Sequence, residues 1–197
     1  MQASTSGKLT SNIAIEWFQN GFLPNVGKRA ILCLDSWSGQ KQEKFQNIDK
    51  DGKDVKVLTI PAGVTGMIQP LDVYGFRPWK NFLKYFSDLI ILYNYDINLH
   101  LRNNVLKIQS LIHNQFSCPR FRNMFRYAWY KSSYVVSRPP QFQTPVDFCF
   151  KQCNMFCMKC DNMAIIRCAW CKDSLCIEHF FGPAYENSPH YCEKYTV

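Results

Sequence analysis

Thr59-Ile-Pro-Ala-Gly-Val-Thr-Gly-Met-Ile-Gln-Pro-Leu-Asp-Val-Tyr-Gly-Phe-Arg-Pro-Trp-Lys80 is the stretch on which the fold turns. A β-branched run, Val55 to Ile60, stops at Pro61, which has no N–H to give a sheet ladder. Gly63 and Gly66 then carry a loop, and Pro70 stands where a helix can begin. Asp72 falls in the first turn of that helix, where the helix dipole favours a carboxylate.

Upstream, Arg29 to Leu34 is an apolar strand without alternation, the pattern of a strand covered on both faces, and it ends on Asp35. Two strands that each deliver an acid near the carboxyl end describe an open α/β sheet with its site at that edge. The piece between them, Gln40 to Ile48, is polar and weakly helical, and Asp51-Gly52 is a turn. A crossover of this kind makes the strands parallel neighbours. From pattern alone, Asp35 also fits a strand-end turn and Asp72 a helix cap.

Ile68-Gln-Pro-Leu-Asp-Val-Tyr-Gly-Phe-Arg-Pro-Trp-Lys80, with Asp35 upstream, resembles the DDE transposases of the mariner/pogo superfamily, nearest to the pogo, Tigger and jerky branch. The resemblance spans Ser6 to Tyr134. It implies an α/β, RNase H-like domain of parallel strands with flanking helices, in which Asp35 matches the second catalytic acid and Asp72 the third. In such enzymes the acids hold two Mg²⁺ ions, which activate the nucleophile and stabilise the leaving oxygen of a phosphodiester. The family's first acid lies on an opening strand. Only Glu16 precedes Asp35, within a predicted helix, and Ser36, Trp37 and Gln40 depart from the family's Asp-Asn-x-x-x-His pattern. The expectation is a partial domain with its opening strands missing, an incomplete catalytic set, and Mg²⁺ only where the domain is complete. The strand ending at Asp35 would then have an open edge.

The remaining helices read from periodicity. Thr10 or Ser11 caps one that places Ile13, Ala14, Trp17 and Phe18 on one face and ends at Gly21. A long helix from about Asp72 has Val73, Phe76, Trp79, Leu83, Phe86 and Ile90 at core spacing, with Pro78 shifting its start or kinking it. Two more are expected near Asn98–Asn114 and Pro119–Ser133. Ser137 to Pro145 reads as a Pro-rich linker.

The net charge of +8 is unevenly spread. Residues 150–197 hold five basic and five acidic side chains, so the excess lies upstream. Between Arg77 and Arg138 ten basic residues face only Asp88 and Asp96. Arg77, Lys80 and Lys84 share a helix flank, and Arg120, Arg122, Arg126 and Lys131 alternate with Phe121, Phe125, Trp129 and Tyr130. These arginines and lysines are candidates for DNA phosphate contact without base readout, while the aromatic series reads as core. No long apolar run offers a membrane span, and the first thirty residues lack a basic start followed by an apolar core.

The last fifty residues change character. Cys157-x2-Cys160-x7-Cys168-x2-Cys171-x4-Cys176-x2-His179, followed by His190-x-Cys192, supplies eight ligands for two closed Zn²⁺ sites. The spacing suits an interleaved cross-brace: Cys157, Cys160, Cys176 and His179 on one ion, and Cys168, Cys171, His190 and Cys192 on the other. It resembles B-box and RING-type modules and the tails of piggyBac-like transposases. Cys149 and Cys153 precede the pattern and could displace a ligand, while Cys33 and Cys118 read as core thiols. So small a module needs metal to fold.

The chain therefore divides as a partial DDE domain over 1–135, a linker over 136–148 and a double-zinc module over 149–197. The reading is a transposon-derived, nuclear DNA-binding protein. The alternatives are a Mg²⁺-dependent endonuclease or strand transferase, and a factor whose zinc module binds a protein partner.

Overall fold

Thr10 caps the first helix, its hydroxyl accepting from Ile13 N at 3.4 Å. The structure, a computed structural model, describes residues 8–182, 190 and 192–195. It separates into two compact units, one ending at Val73 and the other starting at Tyr74.

In the first unit, α1 (Ser11–Trp17) runs on as a π-helical turn, Phe18–Phe22. Strand β1 (Arg29–Leu34) pairs in parallel with β2 (Asp54–Thr59), Arg29 opposite Asp54 and Leu34 opposite Thr59. A 3₁₀ turn, Ser38–Gln40, and the short α2 (Glu43–Gln46) lie in the crossover. Ala14, Phe18, Leu34, Phe45, Val55 and Val57 make the core, with the Phe18 and Phe45 rings 5.0 Å apart.

The parallel pairing follows the sequence reading, but the expected cover on both faces is absent among the described residues. Ile31 is 59% exposed and Leu58 45%. Only the face bearing Ala30, Leu32, Leu34, Val55 and Val57 is packed. Trp17, expected on the buried face of α1, is exposed, because Ala14 and Phe18 one turn apart already fill the contact.

The first unit also holds the four-residue helix α3 (Thr65–Ile68); a π-helical turn, Leu71–Gly75, spans the boundary in sequence, and α4 (Phe76–Leu92) begins the second unit. Pro78 cannot donate a backbone bond, and the change from π to α register falls just before it. The buried ridge of α4 is Pro78, Phe82, Phe86 and Ile90, strictly i, i+4, whereas Phe76 is exposed. The expected series from Val73 to Ile90 thus follows one edge of the true face and passes over Phe82. Next come α5 (Arg102–Phe116), a 3₁₀ turn (Pro119–Phe121) and α6 (Arg122–Lys131).

The expected linker is only partly irregular. Residues 138–144 are extended, but Pro145–Cys149 form α7, with Pro145 at the first helical position and a Thr144/Asp147 capping box. Val146, Phe148 and Cys149 are buried in the core that also holds Phe82, Phe86, Leu111, Ile112 and Phe121. The same core takes in Ile166, Cys168, Leu175 and Phe180 from the cysteine-rich segment. That segment is built on β3 (Ile166–Arg167), antiparallel to β4 (Ser174–Leu175), and on α8 (Ile177–Phe180). It is one wall of a shared hydrophobic core.

Candidate metal centres and basic face

The eight cysteine and histidine residues gather into two quartets. The ligand atoms of Cys157, Cys160, Cys176 and His179 all lie within 4.8 Å of one another, as do those of Cys168, Cys171, His190 and Cys192. Ordering along the chain alternates in pairs, so the quartets interleave.

Local backbone explains each pair. In the first quartet, Cys157 N donates to Asn162 O at 2.9 Å and Met158 N to Ser174 O at 2.8 Å, which ties the Cys157–Cys160 turn to β4. Cys176 is the N-cap of α8, and His179 follows within its single turn. In the second, Cys168–Cys171 is the turn joining β3 to β4, closed by Cys168 N to Asp173 O at 2.8 Å and by Lys172 in left-handed backbone at φ 71°. His190 N donates to Phe180 O at 2.9 Å, so the last ligand pair returns to α8.

These distances fit a tetrahedral zinc ion. Zn–S bonds of about 2.3 Å and Zn–N bonds of about 2.0–2.1 Å at tetrahedral angles separate two sulfurs by roughly 3.8 Å and sulfur from nitrogen by roughly 3.6 Å. In the first quartet, Cys160 Sγ and Cys176 Sγ are 3.8 Å apart, and His179 Nδ1 lies 3.2–3.5 Å from its three sulfurs. In the second, Cys171 Sγ is 3.7 Å from His190 Nε2. Each set is Cys₃His, a composition found in structural zinc sites.

The thiols of the two quartets do not ionise alike. Burial opposes ionisation of Cys157, but backbone N–H groups of Cys176 and Lys159 and the neighbouring Cys160 hold its thiol at about 6. Burial and the adjacent Cys160 and Cys157 push Cys176 up to about 11. Burial also carries Cys171 far above the ordinary thiol range and lowers His190. Cys157 is the thiol that ionises most readily, whereas Cys176 in its own quartet and Cys168 and Cys171 in the other are held protonated by burial, so that the charge of a bound ion would be needed to displace their protons.

The second quartet has a support that the spacing did not reveal. Ala169, inside the Cys168–Cys171 turn, donates its N–H to Gln115 Oε1 at 2.6 Å. Its carbonyl accepts from Cys118 Sγ at 3.2 Å and Arg120 Nε at 2.9 Å. Trp170 Nε1 donates to Asn114 O at 2.6 Å. Gln115 is 0% exposed, a buried polar side chain explained by this single loop. The signal in the sequence is a polar Asn-Gln pair at positions of α5 that fall among buried Leu111, Ile112 and Phe116. Cys149 and Cys153 belong to neither quartet, and Cys149 is buried.

The candidate basic residues separate into two kinds. Arg120 is committed to Ala169 and stacks 3.7 Å from the centre of the Phe148 ring, so it holds the fold together. Lys84 pairs with Asp88 at 2.6 Å. Arg77, Lys80, Arg122, Arg126 and Lys131 are exposed, and no ion pair engages them among the described residues. From Ile97 to Val146 the chain contains no acid at all. The aromatic series divides too: Phe121 is buried, as expected, whereas Trp129 is 37% exposed.

Asp35 is half-buried just beyond β1, its Oδ1 accepting from Trp37 N at 3.1 Å. The Trp37 ring lies over Gly39, where a Cβ would come within 2.0 Å of it. Asp72 is exposed in the π-helical turn, and Gln69 of the same motif buries its Oε1 without a hydrogen-bond partner. Neither acid belongs to a group of three or more potential metal ligands among the described residues.

Residues 1–133 match the family model of the DDE superfamily endonuclease, and residues 129–192 match that of the Tc5 transposase C-terminal domain. The first match covers well over half of the chain, which belongs to the DDE superfamily endonucleases. The second is similar over the whole cysteine-rich segment, and the pairing of the two is that of a pogo/Tigger-like transposase. Searches of curated proteins and of solved structures returned no match. No helix among the described residues is long and apolar enough to cross a membrane.

Proposed function

We propose that this chain is a transposon-derived nuclear protein that binds DNA through its phosphates, with a second unit ordered by two structural Zn²⁺ ions. The observation that carries it is the acid-free run from Ile97 to Val146, with Arg122, Arg126 and Lys131 exposed on α6 and engaged by no ion pair among the described residues. Arg77 and Lys80 on α4 extend the basic surface. Cys157, Cys160, Cys176 and His179 would hold one zinc, and Cys168, Cys171, His190 and Cys192 the other. Three thiolates against one divalent ion leave each centre negative, so phosphate contact belongs to the helices.

If about four phosphates are neutralised on duplex DNA, log K falls against log salt with a slope near −3.6. Replacing Arg122, Arg126 and Lys131 together by alanine should flatten that slope by about 2.7. An unchanged slope would remove the proposal. Arg120→Ala belongs in a stability assay, because its loss strips a donor from the second zinc turn.

A second reading, metal-dependent strand cleavage, draws on the unpartnered Gln69 Oε1, three residues before Asp72 in the same motif. Mg²⁺ takes hard oxygen ligands, and Asp35 and Asp72 supply that chemistry. Two-metal phosphodiester cleavage needs ligands on both ions, which two carboxylates do not provide. The expected outcome is no nicking of supercoiled plasmid by this chain in Mg²⁺ or Mn²⁺. Nicking that disappears in Asp72→Asn would establish it as a nuclease.

A further inference from the structure

We infer that a groove along α6 takes an unpaired nucleotide, its base against Trp129 and its phosphate on Arg122 and Arg126. The inference deepens the DNA reading above and rests on it. Arg122, Phe125, Arg126 and Trp129 fall at i, i+3, i+4 and i+7, so they share one stripe of the helix. Ser117 and Pro119 form the opposite wall, and the groove encloses about 340 Å³. That is the low end for ligand sites and suits a single rigid group.

The chemistry of the stripe selects among anions. Duplex phosphates would satisfy the two guanidinium groups, but duplex bases are stacked on one another and offer no face to a tryptophan. An acidic peptide would likewise engage the arginines and leave the ring idle. An unstacked nucleotide uses both, since every base has a π-face and carries a phosphate. Trp129 is set for this use: Tyr134 meets it at 71° with centroids 5.3 Å apart, an edge contact that orients the ring without stacking on it. Phe125 is braced from behind by buried Phe116, at 65° and 6.5 Å. The far ends of the same turn are tied down by Gln115 and Arg120 on Ala169, so the groove wall is rigid.

The test uses the full, zinc-loaded chain in fluorescence anisotropy, with a labelled oligothymidylate and a labelled duplex of equal length at one salt concentration. Trp129→Ala should weaken single-strand binding by about 5- to 150-fold, the range for loss of one stacked base, and change duplex binding less than about twofold. Trp129→Phe should recover most of the loss, with circular dichroism showing all three proteins equally folded. Equal losses on both DNAs, no loss on either, or displacement of the oligonucleotide by an equal concentration of octaglutamate would each overturn the groove assignment while salt-dependent duplex binding persists. Absence of salt-dependent binding to either DNA would instead remove the DNA reading itself.

Discussion

The two units solve the same problem with different means. Residues 8–73 rest on two parallel strands packed on one face only, with Ile31 and Leu58 open on the other. The described residues from Tyr74 onward wrap α4 to α7 and the cysteine-rich segment around one continuous core, with two quartets of potential metal ligands in its wall. Two-stranded sheets are marginal by themselves, whereas a metal site contributes folding free energy directly. The contrast lies in where order can come from: long-range apolar contact in the second unit, with two quartets that could add a metal ion each, and a single covered sheet face in the first.

The largest way to break the contrast is to remove the metal. Structural zinc supplies on the order of 10–16 kcal/mol of apparent binding free energy near neutral pH. Chelation should therefore abolish the near-ultraviolet circular dichroism of the second unit while hydrogen exchange in β1 and β2 stays as it was. Native mass spectrometry under reducing conditions should count two zinc ions per chain. One ion or none would show that the quartets are not both metal sites.

A finer cut separates the two centres. Gln115→Leu removes the acceptor for Ala169 N–H and leaves a buried donor unsatisfied, a cost of about 1–3 kcal/mol. Cys168, Cys171, His190 and Cys192 should then lose metal to a chelator earlier than in the parent protein, with the other quartet unchanged. If both ions leave together as before, the α5 support is not specific to the second centre.

The smallest effect tests whether α7 is part of the core or a tether. Bonds from Lys151 and Thr144 hold the Asp147 carboxyl below its ordinary value of 3.8. A depressed folded value means that its contribution is present above 3.8 and is lost as pH falls through the lower folded value. Asp147→Asn should erase that part of the acid sensitivity. Thr144→Ala should cost about 0.5–2 kcal/mol at neutral pH, the range for an N-cap. Thermal melts indifferent to both changes would return residues 138–149 to linker status.

The cysteine-histidine quartets were legible because each pair is set by a turn of three or four residues, and tetrahedral coordination would dictate how such turns combine. The parallel β1–β2 pair was legible for a similar reason: two apolar runs and a crossover leave few topologies. The buried ridge of α4 is ambiguous in sequence, since Trp79, Leu83, Phe86 and Ile90 satisfy helical spacing almost as well as Phe82, Phe86 and Ile90 do. Pro145 closes the Pro-rich stretch in sequence, yet it opens α7, because the first helical position tolerates proline.

What the sequence by itself determined was therefore local: strand, turn and ligand spacing, the acid-free basic run, and the motif from Ile68 to Lys80. Tertiary structure alone decided which cations are free. Arg120 and Arg122 are two residues apart and look alike in sequence, yet one grips Ala169, 49 residues away, and the other faces solvent. The Gln115 side chain likewise reaches Ala169, 54 residues away, and the backbone carbonyl of Asn114 accepts from the Trp170 side chain, 56 residues away. Contacts of that range carry no periodicity, because they depend on how a helix and a metal-binding turn meet in a shared core.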